Sequence, residues 1–461
     1  MRPIAEQHLE HYSFWGGMIY KPLEGLAILS SLFLAIPPMV FLLVLVFFFY
    51  HPFFVLNSLS AVCIFSFSAT FLAKKQSLKI DKLLFLFIPL VILGTLSGIL
   101  GIDFSKSLRG VIGLYFLPLF YLMVINVIDT REKVRWIMRI IILAVTIQAI
   151  IGMVEFIFDT QLFFDPTVKG TMDTIKIGSV EKVRVSGSWD PTYFGAIMVG
   201  TMPITLSMFR LKGEKIVLKT IYMIAFILSI LGLIFSFSKG AMISFLGLVL
   251  FGLVKGLGKR IMTLFPILLG LMLVFGILYS INFPVVTAWI DTVPRLIEDI
   301  NPENINFSSP KALSAAFRWV HVRESLKMIV SHPWLGVGPG NSILQMGQQN
   351  VHPYYIGNTH NNVLLIGAEY GLLVLGFYVC LLFVVWRNFL EIEKVARRNQ
   401  DEEMAFLAVC LRASLLAFLV AFQMLPIAFN LNLILLCALS GAIKKSILQT
   451  EQGSELRRES F

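Results

Sequence analysis

Apolar runs of about twenty residues recur from end to end of this chain, separated by short charged links, and each is long enough to cross a hydrocarbon core roughly 30 Å thick as a helix. The pattern predicts twelve spans, near 25–48, 52–73, 83–101, 108–128, 136–158, 192–210, 216–236, 240–254, 261–281, 361–386, 404–421 and 425–443. Pro37 and Pro38 interrupt the first, where a proline kinks or ends a helix. An even number of spans puts both ends of the chain on one side. The expected architecture is all-α: a polytopic membrane protein of about twelve transmembrane helices, with a large external loop between helices 9 and 10.

This divides the chain into a cytoplasmic N-terminal segment (1–24), helices 1 to 9 (25–281) with an external loop at 159–191, a large external loop with an amphipathic helix (282–360), helices 10 to 12 (361–443) and a cytoplasmic tail (444–461). A loop as long as 282–360 is expected to fold as a small cap. The start, MRPIAEQHLEHYSFWGG, is polar and lacks the apolar core and cleavage site of a removable signal, so it is expected to stay in the cytoplasm.

Charge then orients the bundle. With a cytoplasmic N-terminus, the inner links hold Lys74, Lys75, Lys79 and Lys82; Arg131, Lys133, Arg135 and Arg139; Arg210, Lys212, Lys215 and Lys219; Lys255, Lys259 and Arg260; and Arg387, Lys394, Arg397 and Arg398. Every short inner link is basic, as the positive-inside rule requires. The 461 residues are 57% hydrophobic and only 14% charged, which excludes a soluble globular domain; the net charge of +10 therefore reads as topology signal, not as a nucleic-acid surface. Cys63, Cys380, Cys410 and Cys437 lie inside apolar spans without metal-type spacing and read as small core residues.

Cations on the outer side break the charge rule and call for a reason. They are Arg109, Arg184, Lys239, Arg318 and Arg323. An anionic lipid headgroup, above all a pyrophosphate, is a natural client, since Arg offers a planar fork of donors and Lys a compact charge. For any one of them a solvated or phospholipid-facing charge is the alternative. Lys239 is held in a very short link between two apolar spans, at the membrane boundary.

His360 is the candidate for catalysis. Thr359 or Asn358 can cap the helix that follows, leaving His360 in its first turn, where the macrodipole disfavours imidazolium and keeps the ring able to accept a proton from a sugar hydroxyl. An interfacial polar residue is the alternative reading. In FRWVHVRESLKMIV, Trp319, Val322, Leu326 and Ile329 form an apolar stripe while Arg318, His321 and Ser325 share a face about 100° away. That predicts a helix on the outer membrane surface with Arg318 pointed at the site, His321 and Arg323 being ordinary packing. Gly336, Gly338 and Gly340 around Pro339 predict a turn needing positive φ or close backbone approach. Glu369 and Arg412, ionisable groups within spans, are minor functional candidates. The outer acids, such as Asp190, are scattered, so neither a metal nor another cofactor is expected.

Arg318-Trp319, then His332-Pro333 with Gly336, Gly338, Gly340 and Asn341, then His360-Asn361 with Gly371, resemble the signature of the bacterial O-antigen ligase and polymerase family. The resemblance covers mainly 184–376. It implies an inverting, metal-independent glycosyl transfer at the outer face of the inner membrane, facing the periplasm, from undecaprenyl pyrophosphate to a sugar hydroxyl. His360 would be the base, and Lys239, Arg318 and Arg184 would hold the pyrophosphate, with Arg109 the weakest addition. An Arg usually stands where this chain has Lys239, and RVSGSWDPTYFG resembles a further family motif carrying Arg184. A ligase would use lipid A–core as acceptor and a polymerase another glycan repeat. The spacing from His360 to Gly371 leans to ligase, whereas Val374 departs from that pattern. A transporter for a lipid-linked sugar is the rival from another class, and no nucleic acid is expected as partner.

Overall fold

The computed structural model describes residues 79–160, 162, 174–177, 180–187, 190–255, 310–349, 356–357 and 359–459. The spans expected at 25–48, 52–73 and 261–281, and the first part of the large loop, lie outside these residues. The described helices are α1 (Leu84–Leu100), α2 (Phe104–Val127), α3 (Arg131–Phe158), α4 (Pro191–Phe209), α5 (Ile216–Ser236), α6 (Lys239–Val254), α7 (Pro310–Ser331), α8 (Ser342–Gln348), α9 (Asn362–Arg398), α10 (Glu402–Ala421) and α11 (Leu431–Glu459). Among the described residues, six helices are long and apolar enough to cross a membrane: α2, α3, α4, α5, α9, and α10 with the single 3-10 turn Phe422–Met424 that extends it. α1 and α6 are shorter apolar helices at expected span positions. The fold is not wholly helical: β1 (Thr174–Ile177) and β2 (Val180–Val183) pair antiparallel, with Thr174 opposite Val183.

The sequence sets the helix limits locally. Asp103, Thr130, Asp190, Ser238, Asn361 and Asp401 cap α2, α3, α4, α6, α9 and α10, each accepting from a backbone N–H of the first turn that has no partner within the helix. α4 and α10 form the centre of the bundle, 83% and 78% buried over their apolar windows, whereas α5 at 33% turns much of its surface outward. They touch closely because a Cβ at Gly200 would lie 2.3 Å from the Phe418 ring. Cys410 and Cys437 are buried as expected, but Cys380 is exposed on α9, where the surroundings of an apolar bundle accept a small apolar side chain equally well.

One end of the bundle is basic and cross-linked. Arg131 pairs with Asp401 at 2.5 Å, Arg135 with Glu403 at 3.2 Å and Arg139 with Glu214 at 2.5 Å, joining the α2–α3, α4–α5 and α9–α10 links. Exposed pairs such as these add little stability each, but together they fix which links lie side by side. Arg412 sits nearer the middle, fully buried, its guanidinium bonded to Glu393 between the rings of Trp386 and Phe251. Its surroundings fit a structural ion pair, not a function at the other end.

Candidate active site

The opposite end is built on a broken helix. α9 runs through Gly371, whose φ of 85° and ψ of 170° are not helical, and the chain from His332 to Asn341 is wedged against that break. Leu372 N–H donates to Pro333 O at 2.7 Å, Val337 N–H to Ala368 O and Gly338 N–H to Glu369 O, both at 2.9 Å. The backbone groups released by the break are thereby paired again. Gly336, Gly338 and Gly340 have φ of 66°, 95° and 72°, the positive-φ turn expected of them. On the far side Gly101 lies against Gly338, Ile102 N–H donates to Val337 O, and the Asn341 amide donates to Asp103 O, Ser107 Oγ and Val337 O. Glu369, 6% exposed, accepts from Gly340 N–H and from the N–H and hydroxyl of Ser342, so its carboxylate closes the start of α8 and holds the turn. It serves the turn and not His360.

His360 stands at the other end of this first half of α9. The cap is Asn361, whose Oδ1 accepts from Leu364 N–H at 2.9 Å, so the helix starts at Asn362 and His360 precedes it. The expected capping by Thr359 or Asn358, with His360 in the first turn, is thus corrected. The Asn361 side chain reaches the open N–H groups directly, while Thr359 is taken by Ser325, their hydroxyls 2.9 Å apart. Asn362 in turn donates to Ile427 O and Ala428 O, anchoring this start on the link before α11.

The Met424 carbonyl lies near the His360 ring, where it favours the charged form. Phe317 meets the ring edge-on at 6.0 Å and His321 lies nearly parallel at 6.2 Å. The pKa of His360 is pushed below the usual imidazole value, first by loss of hydration, then by His321 and Arg318, with Asp190 acting in the opposite sense. A lowered pKa was expected from the macrodipole; burial and the neighbouring His321 and Arg318 act in the same direction.

α7 carries two of those groups, His321 and Arg318. Its buried residues are Val320, His321, Glu324, Ser325 and Met328, while Trp319 and Leu326 from the expected apolar stripe are 48% and 49% exposed. The polar side chains turn inward onto the segment before α9: Ser325 meets Thr359, and His321 lies against Gly357 and His360. Arg318 is exposed at the rim. Arg323 is exposed and paired with Glu324 at 2.8 Å. His321, read from the sequence as packing, is next to the candidate base; the available signal was that it shares one helix face with Phe317 and Ser325 at four-residue spacing.

Lys239 and Arg184 meet at the α5–α6 turn. Lys239 is the first residue of α6, half-buried, and follows the cap Ser238. A cation there opposes the positive end of the helix dipole, so both favour an anion. Arg184 Nε donates to Ser236 O at 3.1 Å and an Nη to Phe237 O at 3.3 Å, and Val185 N–H donates to Phe235 O. Arg184 therefore braces the end of α5 as well as lying beside Lys239. Gly240 packs on Met424, whose carbonyl lies near the His360 ring, so this turn and His360 flank the same short segment. Asp190 caps α4 through Thr192 and Tyr193 N–H, and Tyr193 accepts from the Asn430 and Asn432 amides, which ties the same rim together. Arg109 stands apart: it is exposed on α2, next to Gly110, which packs on Pro339 of the glycine turn.

Residues 224–379, which include Lys239, Arg318, the glycine turn, His360 and the Gly371 break, match the family described as O-antigen ligase. Over this region the chain carries the O-antigen ligase family domain. A Rickettsia prowazekii (strain Madrid E) protein named "Putative polysaccharide ligase" is 28% identical over 188 residues, 38% of this chain and 42% of that relative. The match thus spans less than half of the relative's length. The O-antigen ligase match leaves out Arg109 and Arg184.

Proposed function

We propose that this protein is a membrane glycosyltransferase of O-antigen ligase type, which moves a glycan from a lipid-linked pyrophosphate to a hydroxyl of lipid A–core at the periplasmic face of the inner membrane. The observation that carries the reading is His360: an imidazole set just before the Asn361 cap of α9, packed against Phe317 and His321, its pKa held down by lost hydration, at a rim that also bears Arg318 and Lys239. In the proposed step the unprotonated ring nitrogen takes the proton of the acceptor hydroxyl. Its oxygen attacks the anomeric carbon, a new C–O bond forms with inversion, and the bond to the pyrophosphate oxygen breaks, its electron pair leaving on the lipid pyrophosphate. Lys239 with the α6 N-terminus, and Arg318, balance that charge; Arg184 supports the Lys239 turn and adds to the same field. Arg109 is a marginal member, given its distance in the fold.

The test is transfer by purified protein in detergent with lipid-pyrophosphate-linked glycan, offering lipid A–core and free glycan lipid separately, with EDTA throughout. Product on lipid A–core that is lost in His360→Ala supports the ligase. Lengthened glycan without that acceptor makes the protein a polymerase. No covalent product, with lipid movement across a vesicle bilayer, overturns the enzyme reading in favour of a transporter.

A further inference from the structure

A groove of about 340 Å³ runs down the outside of the bundle between α9 and α10, within the size range of small-molecule sites, about 300–1,000 Å³. Asn362 and Gln423 form its outer end. Asn362 follows His360 by two residues, and Gln423 precedes Met424, whose carbonyl lies near the His360 ring and against which Gly240 packs. Leu382 of α9 and Leu419 of α10 face each other across the walls. Among the described residues the groove opens sideways past Val379 and Phe383, which are 52% and 60% exposed.

Trp386 lines the inner end, where α6 meets it: the Phe251 ring stands edge-on to Trp386 at 6.0 Å, and the Arg412 guanidinium lies 5.5 Å from the same indole. Phe251 is twelve residues beyond Lys239 on α6, roughly 18 Å at 1.5 Å per residue, more than half of a hydrocarbon core roughly 30 Å thick. The helices around the groove thus bring the candidate groups to its head: α6 opens with Lys239, α9 follows His360, and α10 with its 3-10 turn ends at Met424. A lipid chain gains little hydrophobic energy by moving from the bilayer into an apolar groove; it gains packing, and the packing fixes the position of the group it carries. At the head of this groove that group meets a lysine at a helix N-terminus, which suits an anion.

We propose that the α9–α10 groove holds the hydrocarbon chain of the lipid pyrophosphate donor, with the pyrophosphate at Lys239 and the sugar it carries thereby brought to His360. The identity of the donor rests on the glycosyltransferase reading above. Occupancy of the groove is measured without transfer.

The experiment irradiates full-length protein in lipid nanodiscs with a glycan-free polyprenyl pyrophosphate that carries a diazirine on its first isoprene unit, and locates the label by mass spectrometry. Label on Val379, Leu382, Phe383 or Leu419 is expected, competed by unlabelled polyprenyl pyrophosphate and not by an equal amount of phosphatidylglycerol. In Val379→Trp, and in Leu419→Trp as a second way of filling the groove if the first fails to fold, the label should fall about tenfold, since overfilling removes the packing of several carbons of the chain. The KM for the glycan-bearing donor should rise by a similar factor with kcat little changed. Label outside the groove, undiminished label in a folded variant, or equal competition by phosphatidylglycerol overturns the proposal, the last because the groove then takes ordinary bilayer lipid. Specific label in the groove of a protein that transfers no glycan keeps the groove and overturns the glycosyltransferase reading.

Discussion

Gly371→Ala isolates the feature on which the candidate site hangs. At φ 85° and ψ 170° the residue occupies a region essentially confined to glycine, which costs another residue about 1–3 kcal/mol. The added Cβ would also lie 2.2 Å from Trp334 O, 2.5 Å from Trp334 C and 2.6 Å from Leu335 N. These are backbone atoms of the wedged turn, pinned by the Leu372–Pro333 hydrogen bond, and cannot swing away as a side-chain tip would. Overpacking of this kind adds about 1–3 kcal/mol, and the stiffer unfolded chain returns at most about 1 kcal/mol, leaving a net loss of about 1–6 kcal/mol. With an unfolding entropy of about 2.1 cal/mol/K per residue, a chain of this length should lose about 1–6 °C in Tm. The control is Gly376→Ala in the same helix, where a Cβ meets nothing within 4 Å and a gain of up to about 1 kcal/mol is expected. Scanning fluorimetry of both variants at one scan rate in one detergent decides. If Gly371→Ala melts with Gly376→Ala, to within about 1 °C, the wedge does not hold the turn.

Glu369→Gln keeps the shape but loses the carboxylate that accepts from Gly340 and Ser342; a loss of about 1–3 kcal/mol in stability, read in the same melting assay, is expected. Lys239→Ala should lower transfer about 100-fold or more with near-native melting, whereas Lys239→Arg, which keeps the charge, should retain most of it. Transfer should be flat above the ordinary imidazole range and fall only as pH drops through the lowered pKa of His360, where the ring becomes charged and no longer accepts a proton. For stability the sign is the same: unfolded chain binds the proton first as pH falls, so the share of stability tied to His360 is lost on the acid side, visible as a lower Tm below about pH 6.5.

The spans and the turn were legible because each obeys a local rule. Apolar length predicts a crossing helix, and three glycines within five residues predict positive φ; α2 to α6, α9 and α10 and the turn at Gly336–Gly340 answer to those rules. The break at Gly371 was not legible, since a glycine inside an apolar run also reads as ordinary helix. It became visible only when Trp334 was found against it. The setting of α7 was legible in part: Trp319 and Leu326 of its apolar stripe are exposed, in agreement with a helix laid on a membrane surface, whereas the place of His321 beside His360 and of Ser325 against Thr359 depends on a segment more than thirty residues further along the chain. The role of Arg184 as a brace for Ser236 and Phe237 depends on residues 52 and 53 positions away, which no window along the sequence joins.

The way the rim is held bears on which of its residues can vary. The first half of α9 is fixed at one end by backbone bonds from Pro333, Val337 and Gly338 to the break, and at the other by Asn362 on Ile427 and Ala428. His360 is therefore placed by backbone bonds at the glycine turn and by the Asn362 side chain on the link before α11, both outside the His360 ring itself. A cation at the α6 start likewise takes its position from the α5–α6 turn, braced by Arg184, and not from its own side chain. Lys in place of Arg at 239 then changes the shape of the donor set without moving its origin, whereas any side chain at Gly371 or Gly338 displaces the frame itself. Substitutions in the frame should thus lower stability and transfer together, while substitutions at Lys239 or Arg318 should change transfer with melting close to that of the unaltered protein.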